Sequence, residues 1–214
     1  TVQRLRRHRH ITTLVSLSGA GGEGLAQGHI KATGAIDADI QVALAASVKD
    51  ALAETDRILV VTSADRYAAV LEALRPHVET RHSILVSGEL SRFSAVLKVA
   101  FEACGKSPAL TALAATLATG RRRNGPVVHV GLVRPSVLAF ATSAQDGDAE
   151  IQSWNAVVGG TMVPCDQAAR IVLANVNPIV HAPNALCNLT RIEKGEDWSN
   201  YGGITQGVAD LLIA

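Results

Sequence analysis

Apolar and polar positions repeat with two different periods along this chain. From Ser47 onward, short apolar runs alternate with segments whose apolar residues recur every three or four positions. This predicts helix over Val48–Glu54, strand over Arg57–Thr62, helix over Arg66–Leu74 stopped by Pro76, strand over Ser83–Ser87, and helix over Glu89–Cys104 ending near Gly105. Alternating strands and helices imply a parallel sheet with crossover helices. The run R-I-L-V-V-T is apolar without a break, the pattern of a strand covered on both faces. Before Ser47 the period is two: Ile36, Ala38, Ile40, Val42 and Leu44 alternate with polar or small residues. With H-I-K-A-T-G ahead of them they predict a glycine-punctuated β ribbon. Val2 and Leu5, opposite Arg4, Arg6 and Arg7, predict a short opening helix that leads to a strand at Ile11–Leu17.

Leu110–Leu117 fits strand or helix, because its alanines carry no period. Val127–Leu132 and Val137–Thr142, joined through R-P-S, predict an antiparallel pair that extends the sheet. Helices follow over Ala149–Val158, Asp166–Asn175 and Pro178–Glu193, the last with prolines at its start. Ile204–Ala214 begins another, whose apolar side of Val208, Leu211 and Leu212 needs a partner. The expected class is α/β: a Rossmann-like, mostly parallel sheet with helices on both faces, followed by the start of an all-α second domain.

Composition narrows the function classes. Hydrophobic residues make up 48% of the 214 but aromatics only 3%, so the core is built from Ala, Val, Leu and Ile, which suits close helix–sheet packing. The formal charge is +1 and basic residues are dispersed outside Arg4–Arg9 and Arg121–Arg123, which argues against a nucleic-acid partner. No apolar run approaches the roughly 18 residues of a membrane span, so a soluble protein without a membrane partner is expected. Cys104, Cys165 and Cys187 are odd in number and far apart, which speaks against a disulfide framework or structural zinc. They read as buried thiols in a reducing compartment, hence a cytoplasmic location. The opening T-V-Q-R-L-R-R-H-R-H lacks an initiator Met and an apolar signal region, and reads as the inside of a longer chain.

Several stretches carry candidate chemistry. Gly19–Gly24 spells G-x-G-x-x-G after a strand, with Asp37 and Asp39 beyond it, as a dinucleotide loop would. The segment behind it holds two more glycines and a β-branched pair, each costing a helix about 0.5–1 kcal/mol, so a hairpin fits it better. In V-V-T-S-A-D a buried strand opens into a loop, where Thr62, Ser63 and Ala64 could meet a cofactor through backbone groups. A plain turn capped by Ser63 or Asp65 fits the same letters. At the next strand end, S-G-E-L, Gly88 would let backbone approach a ligand closely. Arg121–Arg123 could grip a carboxylate or form a solvated turn. His181 stands between two prolines, among Asn177, Pro178, Pro183, Asn184 and Asn188, with hydrogen-bond partners but little charge nearby. An imidazole there can exchange a proton with a carbonyl or imine, or it is a satisfied histidine at a helix start. The other histidines lack metal-ligand spacing, and no metal site is expected.

The pattern N-x-N-P-I-V-H-A-P-N-A-L-x-N-x-x-R-I-E, followed by Y-G-G-I-T-Q-G-V-A, resembles the octopine/nopaline (opine) dehydrogenase family. Weaker similarity to its Rossmann domain lies in S-V-K-D-A-L-A-E-T-D-R-I-L-V-V-T-S-A, and the resemblance covers most of residues 30–214. It implies an oxidoreductase using NAD or NADP that condenses an amino acid amine with an α-keto acid and reduces the imine to a secondary amine dicarboxylate. By position His181 matches the family's catalytic histidine, which serves as acid and base and polarises the keto group. Asn177 lies on the matching first turn, as a substrate-orienting residue. Thr62, Ser63, Ala64 and Gly88 are the positions expected against the cofactor. The resemblance divides the chain into a nucleotide-binding domain over 1–165 and a junction with the start of a helical substrate or dimerisation domain over 166–214, and leaves a homodimer open.

Two departures accompany the match. Gly19–Gly24 precedes Thr62 by only about forty residues, less than two strands and two helices normally fill, so the family's glycine loop is expected ahead of Thr1. The acidic partner of the family's histidine is expected beyond Ala214, since Asp197 and Asp210 do not match it. Two alternatives therefore stand beside the enzyme: a truncated or degenerate relative acting as a non-catalytic interaction domain, and a ketopantoate reductase-like 2-hydroxy acid dehydrogenase.

Overall fold

The computed structural model describes residues 12–16, 28–89, 92–142, 146–198, 200 and 202–213. Gly19–Gly24, the opening basic segment and the two end residues of the strand expected at Ile11–Leu17 lie outside them. Only β1 (Thr13–Leu14) falls in that last stretch, and it pairs in parallel with β4 (Ala43–Leu44). The chain divides into two compact units, residues 1–172 and 173–214.

The first unit is built on two larger sheets. One has the order β11-β10-β7-β6-β5, from strands Arg57–Val60 (β5), Ser83–Val86 (β6), Ala109–Leu113 (β7), Val137–Ala141 (β10) and Met162–Pro164 (β11). β5, β6 and β7 run parallel, β10 is antiparallel to β7, and β11 is parallel to β10. Helices cover both faces, a Rossmann-like α/β arrangement. On one side α2 (Tyr67–Leu74) and α3 (Phe93–Glu102) bring Val70, Leu74, Leu97 and Phe101 against Ile58, Ile84, Val86 and Leu110. On the other, α4 (Gly147–Val158) brings Ile151, Trp154 and Val158 against Leu85, Leu113 and Ala139. Its ends follow their sequence: the Asp146 side chain accepts from the Ala149 amide at 2.9 Å, and Gly159 closes the helix at φ 95°. A shorter helix, α1 (Val48–Leu52), starts at Ser47, which accepts from the Asp50 amide.

The second sheet, in the order β3-β2-β9-β8, contains the expected ribbon, His29–Gly34 (β2) and Ala38–Gln41 (β3), joined to Ala118–Arg122 (β8) and Val127–Val133 (β9). Here the structure corrects the expected pairing of Val127–Leu132 with Val137–Thr142. β9 pairs with β2 and β8, whereas β10 pairs with β7 and β11. The physical reason lies at R-P-S. Arg134 gives its amide to Leu117 O and its Nε to Thr116 O, each at 3.0 Å, and Pro135 has no amide for a tight hairpin, so the chain passes from one sheet to the other. Arg121 and Arg122 therefore sit in an exposed strand rather than a turn. The ambiguous stretch Leu110–Leu117 begins within strand β7.

The second unit holds α6 (Asn177–Cys187), α7 (Leu189–Glu193) and α8 (Gln206–Ile213), preceded by α5 (Ala168–Leu173) at the boundary. The single helix expected over Pro178–Glu193 is two, broken at Asn188. Of the cysteines only Cys165 is buried; Cys104 and Cys187 are exposed at helix ends, which corrects the reading of all three as core thiols. Among the described residues, no helix is long and apolar enough to cross a membrane.

Leu85 is fully buried under α4. Leu85→Ala should therefore cost about 2–5 kcal/mol in urea denaturation. Val99→Ala, on the exposed side of α3, should change stability by no more than about 0.5 kcal/mol.

Candidate active site

In the first unit the candidate positions gather at the carboxyl ends of β5 and β6. The register pairs Val60 with Val86, and the Ser87 amide donates to Val60 O at 3.0 Å, so Thr62 and Gly88 emerge at the same edge of the sheet. Beyond Val60 the chain leaves the sheet. Val61 and Ser63 are exposed, Thr62 and Ala64 half-buried, and a 3-10 turn over Ala64–Arg66 leads into α2. Ser63 occupies the cap position of that turn without a side-chain capping bond. Gly88 has φ +72°, and a Cβ there would stand 2.8 Å from Thr116 Cγ2, so the glycine serves both a left-handed turn and a close approach. Tyr67 stacks on Phe93 with ring centroids 4.0 Å apart and its hydroxyl donates to Gly88 O at 3.4 Å, tying the starts of α2 and α3 to this edge.

Glu89, read from sequence as the start of a helix, is a buried carboxylate instead. α3 begins at Phe93, after Arg92 in the left-handed region at φ 56°, and Glu89 Oε1 accepts from the Ser94 amide at 3.1 Å and the Ser94 hydroxyl at 2.8 Å. The carboxylate thus caps the helix from outside it, where the positive end of the helix dipole favours negative charge. It lines a small pocket with Arg92, Ser94, Phe140, Thr142 and Ile171. Burial pushes its carboxyl above the ordinary glutamate range, and the Ser94 hydrogen bonds and Arg92 pull it part of the way back.

In the second unit α6 starts with Asn177 and Pro178, and the Asn175 side chain accepts from the Asn177 amide at 3.2 Å. Asn177, His181, Asn184 and Asn188 recur at intervals of four, three and four, a polar stripe along one helical face. That spacing was available in the sequence. The loop after α7 completes the set: the Asn200 amide nitrogen meets His181 Nδ1, and Asn184 Nδ2 donates to Asn200 Oδ1 at 3.0 Å and to the Asn200 carbonyl. Asn188 Nδ2 donates to Asn184 O, Asn184 Oδ1 and Gly203 O at 2.8, 3.1 and 3.0 Å. Gly203 is required there, since a Cβ would fall 1.9 Å from the Trp198 indole nitrogen. Asn200 had no sequence signal of its own beyond lying in the W-S-N-Y-G-G stretch. Of the expected residues, Thr62, Ser63, Ala64 and Gly88 come together in the first unit, and Asn177 and His181 share α6 in the second.

No family model matches the chain, and neither does any curated protein. Solved structures do. Yersinopine dehydrogenase aligns over 92% of this chain and 51% of its own, at TM-score 0.70 and 17% identity. A structure of octopine dehydrogenase with NADH and L-arginine aligns over 94% and 53%, at 0.65 and 11%. A PanE/ApbA family ketopantoate reductase from Ralstonia eutropha aligns over 99% and 65%, at 0.66 and 15%. The chain has the fold of these dehydrogenases. It spans about half the length of the two opine dehydrogenase structures.

Within this dehydrogenase fold Glu89 offers a test by pH. Its folded-state pKa lies above the unfolded value, so its protonation favours the folded chain. That contribution is complete below the ordinary glutamate range and is lost as pH rises through the raised pKa. Glu89→Gln, which keeps an oxygen for Ser94, should make the protein more stable than wild type near neutral pH and flatten that part of the stability profile. Superimposable profiles from urea melts across pH would contradict the assignment.

Proposed function

We propose that this chain is part of an NAD(P)H-dependent oxidoreductase of the opine dehydrogenase type, which joins the amine of an amino acid to an α-keto acid by reduction. The observation that carries the reading is His181: an imidazole on a proline-started helix, engaged at Nδ1 by Asn200, in a chain with a dehydrogenase fold. In the net reaction one amine and one keto acid combine with a hydride and a proton, and one water leaves. Bound nicotinamide would supply the hydride.

The remaining work falls to the chain's own residues. His181 directs a proton toward the keto oxygen, polarises that carbonyl for attack by the amine, and takes part in the transfers that release the oxygen as water. Asn177, one turn earlier on the same face of α6, orients the substrate. Thr62, Ser63, Ala64 and Gly88 would hold the dinucleotide. Their fit rests on adjacent strand ends with open backbone at Val61–Ser63 and on a glycine at 88, the arrangement at which open α/β sheets bind ligands. The domain assignment belongs to the same reading, with residues 1–165 on the nucleotide side and 166–214 opening the substrate side. So do a cytoplasmic location and a homodimer.

A second reading, a 2-hydroxy acid dehydrogenase, is favoured by the ketopantoate reductase likeness over nearly the whole chain. Amine dependence separates the two. In the full native chain, NAD(P)H oxidation with a keto acid should require an added amino acid, whereas oxidation with keto acid alone would favour the second reading. Failure to bind either NADH or NADPH in fluorescence titration would leave only a non-catalytic role. His181→Ala should lower kcat by about two to four orders of magnitude, the usual loss with a general acid or base. Unchanged turnover in steady-state assays would remove His181 from the mechanism.

A further inference from the structure

We propose that Asn200, held by Asn184 and Asn188, is a positioning residue that fixes neutral His181 as the tautomer protonated on Nε2. Its catalytic meaning rests on the reading of His181 given above; the tautomer follows from the hydrogen-bond chain. A side-chain amide can be turned over with little change in shape, so one Asn beside a histidine says nothing of which ring nitrogen carries the proton. Here two main-chain carbonyls, which can only accept, remove that freedom. Gly203 O lies 3.0 Å from one end of the Asn188 side chain, making that end the NH2 group. The same NH2 is 3.1 Å from Asn184 Oδ1, so Asn184 presents its oxygen to Asn188 and its nitrogen to the far side.

On that far side the Asn200 carbonyl independently requires a donor from Asn184, and Asn184 Nδ2 supplies it. The same nitrogen donates to Asn200 Oδ1 at 3.0 Å, which turns the Asn200 NH2 toward His181 Nδ1. An amide nitrogen offers no lone pair to a ring N–H. Nδ1 must therefore be the acceptor, and the neutral ring carries its proton on Nε2. Asn184 is fully buried and Asn188 nearly so, at 0% and 4% exposure. Reversing the chain would set oxygen against oxygen where water cannot intervene. Arg191 Nη1, 3.5 Å from Asn188 Oδ1, agrees with the same direction.

For a reaction at a keto carbonyl the direction matters. Nε2–H donates to the carbonyl oxygen, whereas the other tautomer would turn a lone pair toward it. The network thus prepares the ring before substrate arrives, the usual role of a group hydrogen-bonded behind a catalytic histidine.

The test is Asn200→Asp, nearly identical in shape: its carboxylate still accepts from Asn184 Nδ2, as the unchanged main-chain carbonyl does, but cannot donate to Nδ1. In 15N-edited spectra of the full native chain, with the His181 signals identified by their loss in His181→Gln, the wild-type neutral ring should show a protonated Nε2 and an unprotonated Nδ1. Asn200→Asp should move the proton to Nδ1 and lower kcat by at least about tenfold, with KM for the nucleotide unchanged. A wild-type ring protonated on Nδ1, or an unchanged tautomer in folded Asn200→Asp, would overturn the proposal. Should that variant fail to fold, the wild-type spectrum decides alone. The expected tautomer in a wild-type chain that reduces no keto acid would uphold the positioning of His181 and dismiss the function built on it.

Discussion

The first unit depends on a strand that has no outward face. All four residues of Ser83–Val86 are buried, with Ile84 and Val86 turned to the helices on one side and Leu85 to α4 on the other. A strand buried on both faces must lie inside its sheet, flanked by neighbours that satisfy its backbone, and here these are β5 and β7. The one polar side chain is paired: Ser83 Oγ accepts from the Trp154 indole at 2.7 Å and donates to Glu150. Because β5 runs parallel and in register with this strand, both release their chains at the same edge. That is why Thr62–Ala64 and Gly88 are neighbours although more than a helix separates them in sequence.

A polar constraint governs the second unit. Its helices leave many apolar side chains exposed, among them Leu173, Ile179, Leu186 and Ile213, while two asparagines are buried. Burying an amide is tolerable only when its donors and acceptor are matched, and the loop bearing Asn200 and Gly203 provides the match. The same bonds that make burial tolerable also engage the histidine. Structural satisfaction and orientation of the ring are one arrangement.

Much of the architecture was legible because it is local. The apolar run at Ser83–Ser87 is buried as an interior strand and Arg57–Thr62 supplies the strand beside it, at the end of the described sheet, while α1 starts at Val48 and α4 finishes at Val158 as their patterns predict. His181 was conspicuous because prolines and asparagines around it exclude an ordinary solvated face. Glu89 was misplaced for the opposite reason. Its letters read as a helix start, yet the carboxylate folds back on Ser94, a choice decided by the left-handed turn at Arg92. The break at Asn188 was hidden likewise: the side chain there is bonded to Gly203 in another loop, a contact that no local pattern records.

By itself, then, the sequence determined the α/β class, the apolar strands β5 and β6 and the residue types able to do proton chemistry, because period, capping and residue chemistry act over a few positions. Only the tertiary structure decided which sheet β9 joins, and that Asn200, nineteen residues beyond His181, meets its ring. Both outcomes depend on the path of a loop: Arg134 held by Thr116 and Leu117 in one case, Gly203 packed on Trp198 in the other. Contacts between distant segments leave no period in the chain, so they become visible only when the backbone is traced in space.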